Sequence, residues 1–486
     1  MNHINTLNPP EIWSYFSDIC RIPRLSKHEE QIRRWLKEFA AMHNLEFRDD
    51  KVGNIVIVKE ASPGFENRKT VVLQSHLDMV GEKDSDHPHD WMKDPIIPLI
   101  ADGWVTADGT TLGADDGIGI AAQMAILANP DIKTGKIECL FTVDEETGMT
   151  GARNIDTTLV EGRTMINLDS EDEGILFIGC AGGIDTTGTL SYEPQIMPEG
   201  MISIKLSLTG LSGGHSGDEI HKGLANSIKL MARFLDSLAG KYGFRLAQFN
   251  GGNLRNGIPR EAFVIITVNE SDSEKVTSEA ADFLRLVKDE YGSLEPGIAF
   301  EASRDNYNGT TMSREDSDKL IKMLNACPHG VIEWSKDMKD LVETSTNLAI
   351  VKFKIPGTIE IVTTQRSSVE SGKMNASGMV VECMKHAGAE VVQSEGYPGW
   401  KPDINSEILG ITTRSYSKLF GKEAEVRAIH AGLECGLFYE KFPGIDMISF
   451  GPTIKGAHTP EERINIETTS MFWNLLLDVL ENIPER

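Results

Sequence analysis

The chain has 486 residues, 40% of them apolar and 25% charged, and its 48 Lys and Arg against 73 Asp and Glu leave a formal charge of −25. That length predicts more than one domain and the balance is that of a soluble globular protein, while the acidity opposes binding to a phosphate backbone or an anionic membrane face, both of which need clustered Lys and Arg. No run approaches the roughly 18 apolar residues of a membrane span, and Cys20, Cys139, Cys180, Cys327, Cys383 and Cys435 form no C-x-x-C pair, so reduced, buried thiols are expected.

The opening MNHINTLNPPEIWSYFSDIC lacks the basic start and apolar stretch of a secretory signal, which predicts a cytoplasmic protein. Residues 11–48 read as two helices joined by the loop IPRLSKH. Short apolar strands come next in NIVIVKE, KTVVLQSHLDMV, KIECLFTVDE and TMINLDS, with a helix DDGIGIAAQMAILAN between the second and third. Such alternation favours a mostly parallel sheet covered by helices. Near Gly182–Gly183 the rhythm changes to strand MISIKLSLTG, helix GLANSIKLMARFLDSLAGKYG, strands RLAQFNG and AFVIITVNE, helix KVTSEAADFLRLVKDEYG and strand IAFEAS. That is the β-α-β-β-α-β order of a ferredoxin-like unit. A less regular second version is suggested by helix SDKLIKMLNACP, strands NLAIVKFKI and TIEIVTTQRSS, and helix MNASGMVVECMKHAG.

After GYPGWKPD the first rhythm returns. The fold class expected is therefore α/β: a catalytic domain with a mostly parallel mixed sheet flanked by helices, formed by residues 1–185 and 394–486. It is interrupted at 186–393 by an inserted α+β lid domain, ferredoxin-like and open to duplication.

The chemistry-bearing residues lie at strand ends. In KTVVLQSHLDMV the period of two puts His76 and Asp78 on one face, where a carboxylate can orient a metal-bound imidazole. Read alone, this is a polar strand end. In TTLGADDGIGIAA, Asp115 and Asp116 meet a glycine-rich turn and a helix start. Capping and a functional role are both open for Asp116, and a metal-bridging role is preferred for Asp115. FTVDEETGM places Asp144, Glu145 and Glu146 in a row, and they repel one another unless a proton or cation intervenes. A solvated acidic turn is the bland alternative. Asp169 in TMINLDSEDEG and His458 in GPTIKGAHTPEERINI again come after apolar strands.

Ligands of open α/β sheets bind beyond the carboxyl ends of strands, so the shared placement argues for one site. Two divalent cations are balanced by Asp115, Glu146, Asp169 and a bridging hydroxide, with His76 and His458 neutral. Imidazole and carboxylate without thiolate suit Zn²⁺, and less tightly Mn²⁺ or Co²⁺.

With SHLDMV, TLGADDGIG, DEETGM, NLDSEDEG, LSGGHSGDEIHKGLAN, NLRNGIPREA, AIHAGLECG and GAHTPEERI in order, the chain resembles, nearly end to end, the aminoacyl-histidine (Xaa-His) dipeptidases, or peptidase D, of the dizinc exopeptidase clan. The resemblance implies that Asp115 bridges two metals, that His76 and Asp169 complete one site, and that Glu146 and His458 complete the other. It makes Glu145 the general base, with Asp78 beside His76 in the catalytic set. It also implies that His215 polarises the scissile carbonyl, while Asn256 and Arg366 grip the substrate, Arg366 at its C-terminal carboxylate. His430 and Glu434 have no assigned role.

The expected activity is that of a metallo-dipeptidase acting on unblocked dipeptides, Xaa-His and carnosine-like ones among them, through a metal-bridged hydroxide. A small peptide is the expected partner, with no nucleic acid or membrane, and the clan points to a homodimer. An N-acyl-amino-acid deacylase or tripeptidase of the same clan is the nearest alternative. A non-catalytic peptide-binding protein would keep the ligands without the base.

Overall fold

Strands Ile55–Lys59, Val71–His76, Ile137–Thr142 and Thr164–Asn167 are buried at every residue, as Val, Ile and Leu runs in a sheet covered on both faces should be. In the computed structural model, which describes residues 4–354 and 357–486, they belong to an eight-stranded mixed sheet. Its spatial order is Glu46–Asp49, Ile55–Lys59, Ile137–Thr142, Val71–His76, Thr164–Asn167, Asp446–Ser449, Ile175–Cys180 and Glu425–Ile429. The four strands from Ile137–Thr142 to Asp446–Ser449 run parallel, and Ile55–Lys59 and Ile175–Cys180 close them in antiparallel.

Helix Ala114–Ala128, buried from Ala114 to Leu127, packs on the Val71–His76 strand and against helix Pro10–Ile19. A helix apolar all round has to be interior. A smaller antiparallel sheet of Ile454–Lys455, Arg463–Asn465, Trp104–Ala107 and Pro98–Ala101 holds residues 456–462 as the connection between its first two strands. No helix among the described residues is long and apolar enough to cross a membrane.

The chain divides into two units: Met1–Gly179 with Pro402–Ala428 and Leu433–Arg486, and Cys180–Lys401 with Ile429–Gly432. The expected division at 185/186 falls inside strand Gly182–Ser191, which belongs to the second unit's sheet, so the first boundary moves back to Gly179. The second boundary moves forward from 393 to Lys401, because Tyr397 and Trp400 bridge to Gly183 and Cys180.

The second unit is an antiparallel sheet in the order Ala299–Asp305, Met201–Thr209, Ala262–Asn269, Phe244–Gly251, Val342–Phe353, Thr358–Ser367, Gly182–Ser191 and Glu390–Gln393, with Gly330–Trp334 also paired to Val342–Phe353. The first four strands, with helices Ser227–Ala239 and Ser273–Tyr291, make one ferredoxin-like unit. The next four, with helices Arg314–Ala326 and Glu370–His386, make a second in the same spatial order.

The duplication left open in the sequence is therefore present, with an arrangement the sequence pattern did not supply. The second copy begins at Gly182–Ser191, and the entire first copy is spliced in before its first helix. The copies join where Asn250 and Gly251 face Lys352 and Val351. Ile355, at the end of the predicted strand NLAIVKFKI, lies outside the described residues.

Candidate metal centre

The parallel strands deliver their side chains to one end of the first unit's sheet. His76 is the last residue of its strand and is 1% exposed. Its Nδ1 lies 3.4 Å from Asp78 Oδ1 and 3.1 Å from the Asp78 carbonyl, which leaves Nε2 facing outward, 2.9 Å from Asp115 Oδ1 and 3.6 Å from Asp169 Oδ1. On the other side His458 Nε2 stands 3.2 Å from Asp115 Oδ2 and 2.9 Å from Glu146 Oε2. The two groups, His76, Asp115 and Asp169 and then Asp115, Glu146 and His458, each keep their ligand atoms within 4.8 Å of one another. They share Asp115, one oxygen toward each histidine.

This donor set fits two divalent cations. Ligand atoms about 2.1 Å from a tetrahedral metal stand about 3.4 Å apart, close to the spacings of the two groups. Glu146 Oε1 is buried with no hydrogen-bond partner, the condition of an oxygen built for a cation. The electrostatics agree. Asp115 and Glu146 push His458 up to about 11 by hydrogen bonding. Burial opposes charge on His76, yet Asp169, Asp115 and Asp78 still hold it well above its usual range. Burial also raises Asp169, to about 6, and carries Glu145 well above the carboxylate range, with Asp169, Glu434 and Glu146 adding to it. Such a crowd of acids requires positive charge among them.

The loops are fixed by contacts the sequence did not announce. Glu462, four residues past His458, is 2% exposed and accepts backbone N–H bonds from Leu112, Gly113, Ala114 and Asp115 at 2.7–3.3 Å. Arg24, 3% exposed, donates to the carbonyls of Leu77 and Asp78 at 2.9 and 2.6 Å and to that of Gly113. Gly113 is needed there: its φ is +67°, and a Cβ would lie 2.6 Å from Arg24 Nη2. Glu462 stands inside the GAHTPEERI motif, whereas nothing around Arg24 in the sequence signals its role.

Asp78 does more than orient His76, since it also accepts from the backbone N–H of Glu145 and Glu146 at 3.0 and 3.2 Å and from Ser26 Oγ at 2.8 Å. Against the effect of burial, the His76 imidazole and those donors bring it down to about 2. Asp115 has extended backbone angles (φ −79°, ψ 115°) and does not cap the helix. Asp116 does, accepting from Gly119 N at 3.1 Å. Of the acidic triplet, Asp144 turns away to the hydroxyls of Thr147 and Thr150. Glu434, left without a role, is buried beneath this end of the sheet, where Gln74 and Thr142 donate to its Oε2 at 2.7 and 2.8 Å. Burial pushes it up to about 8.

The second unit groups the remaining candidates. His215 lies on the short ladder Gly214–His215 with Gly257–Ile258, and the carbonyl of the exposed Asn256 accepts from Ser216 N at 2.7 Å. His215 Nδ1 is 3.2 Å from Asp218 Oδ2. Arg366 is 7% exposed and donates from Nη1 to Tyr397 OH at 2.9 Å, with its Nε buried and unpartnered. His430 is 2.8 Å from Ser345 Oγ and is pushed down to about 3 by burial and then by Arg366.

Residues 72–482 match the model of peptidase family M20/M25/M40. The chain is 43% identical over 486 residues, the full length of both proteins, to the cytosol non-specific dipeptidase of Escherichia coli. It is similar to the crystal structure of aminoacylhistidine dipeptidase from Vibrio alginolyticus at 43% identity and a TM-score of 0.96, covering 99% of this chain and 98% of that one. A tripeptidase structure from Staphylococcus aureus shares the fold, at 17% identity and a TM-score of 0.56 over 98% of this chain and 99% of that one.

Proposed function

The chain belongs to peptidase family M20/M25/M40 and is a metal-dependent dipeptidase; from that premise we propose that it cleaves unblocked dipeptides, Xaa-His and β-alanyl-histidine among them, in the cytoplasm, with two Zn²⁺ ions. The observation that carries the reading is Asp115, whose two oxygens face His76 on one side and His458 on the other. Divalent cations bound at these groups supply Lewis acidity and lower the pKa of a bound water. His76, Asp115 and Asp169 would hold one, and Asp115, Glu146 and His458 the other.

The rest belongs to the protein. Asp78 keeps the His76 ring turned so that Nε2 is presented. Glu145 accepts a proton from the attacking water as the new C–O bond forms, and returns it to the amine nitrogen as the peptide C–N bond breaks. In the second unit, His215 is assigned to the scissile carbonyl oxygen, Arg366 to the substrate's C-terminal carboxylate, for which a guanidinium fork is suited, and Asn256 to the substrate backbone. Tyr397 orients the Arg366 guanidinium. A homodimer completes the proposal and is read by sedimentation equilibrium as twice the chain's mass.

The test is an assay of protein stripped by chelation and reloaded with Zn²⁺ or Mn²⁺, against β-Ala-His, Ala-His, Ala-Ala-His and N-acetyl-Ala-His. Metal-dependent cleavage confined to the two free dipeptides is expected. Cleavage of the acetylated or the longer substrate would move the specificity to a deacylase or tripeptidase, and a greater rate with Mn²⁺ would displace zinc.

A further inference from the structure

In the second ferredoxin-like copy, two of the six cysteines meet where helix Arg314–Ala326 ends against helix Glu370–His386. Cys327 is the C-cap of the first helix and is 1% exposed. Cys383 lies in the last turn of the second helix and is half-buried. Cys383 Sγ is 3.5 Å from the Met323 carbonyl, the same oxygen that accepts from the Cys327 N–H at 2.8 Å, and Cys327 Sγ is 3.9 Å from the Pro328 carbonyl. Cys383 opens on a groove of about 570 Å³ lined also by Lys319, Lys322, Met379 and His386.

We propose that Cys383 and Cys327 are a redox-active thiol pair, Cys383 the attacking and Cys327 the resolving sulfur, which hydrogen peroxide converts to a reversible disulfide within the second unit. A reactive cysteine needs a partly exposed, electropositive setting, whereas a structural one is sealed in apolar surroundings. Cys383 has that setting. Beneath it, Lys229 Nζ is held by the carbonyls of Leu324, Asn325 and Cys327 at 3.0, 2.6 and 2.9 Å, so an ammonium is fixed beside the pair. Lys319, Lys322 and His386 face the groove, with Glu382 as its acid. The Cys327 thiol, raised by its neighbour Cys383 and by burial, keeps its proton, and Cys327 with Lys229 brings Cys383 down to about 7 against the effect of burial.

The chemistry balances. The Cys383 thiolate attacks one peroxide oxygen, the O–O bond breaks, and hydroxide leaves, giving a sulfenic acid. The sulfur of Cys327 then attacks Cys383, the S–O bond breaks, and the departing oxygen takes the Cys327 proton and leaves as water. Two thiols lose two electrons and the peroxide gains them. Cys20, Cys139, Cys180 and Cys435 are buried and stay out of the reaction.

The test treats the reduced, metal-loaded protein with hydrogen peroxide, blocks free thiols with iodoacetamide and maps the cysteines by mass spectrometry. The expected result is a cross-linked pair of peptides carrying Cys327 and Cys383, with loss of both alkylation sites and full recovery of both after dithiothreitol. In Cys327→Ser the oxidation stops at a sulfenic acid on Cys383 that dimedone traps, and in Cys383→Ser Cys327 stays reduced; an unchanged thermal midpoint certifies both folds. Recovery of Cys383 as an unlinked thiol or sulfinic acid in the wild type, or oxidation of Cys327 in Cys383→Ser, overturns the proposal.

Discussion

Glu145 and Glu146 are adjacent in sequence, and what separates the tasks proposed for them is the backbone turn that Asp78 pins through both of their N–H groups. Glu146 is drawn to His458. Glu145 makes no ion pair among the described residues, and burial leaves its carboxyl with a raised affinity for a proton. Under the proposed role, a base that is not a ligand can lose its charge without loss of metal. Glu145→Gln is therefore expected to lower kcat by at least about 100-fold while metal content, read by inductively coupled plasma mass spectrometry, is unchanged. Loss of a metal with the activity would make Glu145 a ligand instead. The strand ends were readable in the sequence because apolar runs stop abruptly at His76, Asp144 and Asp169. Which member of Asp-Glu-Glu points where was not, since three like residues in a row carry no direction; the left-handed φ of +53° at Asp144 sends that side chain to two threonine hydroxyls.

Between the small sheet and the buried helix, one carboxylate connects two loops. Glu462 comes after His458 in the same connection and binds four consecutive amides leading to Asp115, so Asp115 and the exposed histidine are held by a common element. In Glu462→Gln one oxygen is replaced by an N–H donor, which loses half of those acceptor sites and sets donor against donor. Hydrogen bonds to charged groups are worth about 1.5–3 kcal/mol each, so a loss on the order of 3 kcal/mol is expected in urea unfolding of the metal-free protein, with weaker metal binding by competition against a chromogenic chelator. Equal stability of variant and wild type would remove this role. A glutamate in a charged run, TPEERI, carries no mark of such burial. Strand Gly182–Ser191 was hidden in the sequence for a related reason. GGIDTTGTLS has three glycines and few apolar residues, and it is a strand because Thr358–Ser367 and Glu390–Gln393 pair with it on either side. Tertiary pairing decides there, as it does for weak formers in general.

At the scale of the whole chain, the proposed metal ligands all belong to one unit and the half-buried histidine His329 to the other, so metal and acid should act on different unfolding events. A ligand at 1,000 times its Kd stabilises the unit that binds it by about 4 kcal/mol, about 10 °C for a unit of this size. Calorimetry with and without chelator is expected to move one transition by that amount and leave the other in place, and a single transition moving as a whole would show that the units unfold together. The second unit has its own lever. His329 Nδ1 accepts from Leu348 N at 3.3 Å and lies 3.4 Å from Asn226 Nδ2, and burial, with Lys229 adding to it, pushes its pKa down to about 4. Between that value and the ordinary 6.5 the unfolded chain binds the proton that the folded one refuses, so stability rises with pH across this window. It is complete above about pH 6.5 and falls as the pH drops toward 4, by at most about 3 kcal/mol. In His329→Asn the side-chain oxygen can replace Nδ1 as acceptor and cannot take up a proton. Comparison of the two chelated proteins from about pH 7 to about 4.5, a span that covers the ordinary histidine range, should therefore show a shallower acid loss for the variant in the metal-insensitive transition alone; parallel curves would mean that His329 does not set the acid stability of that unit.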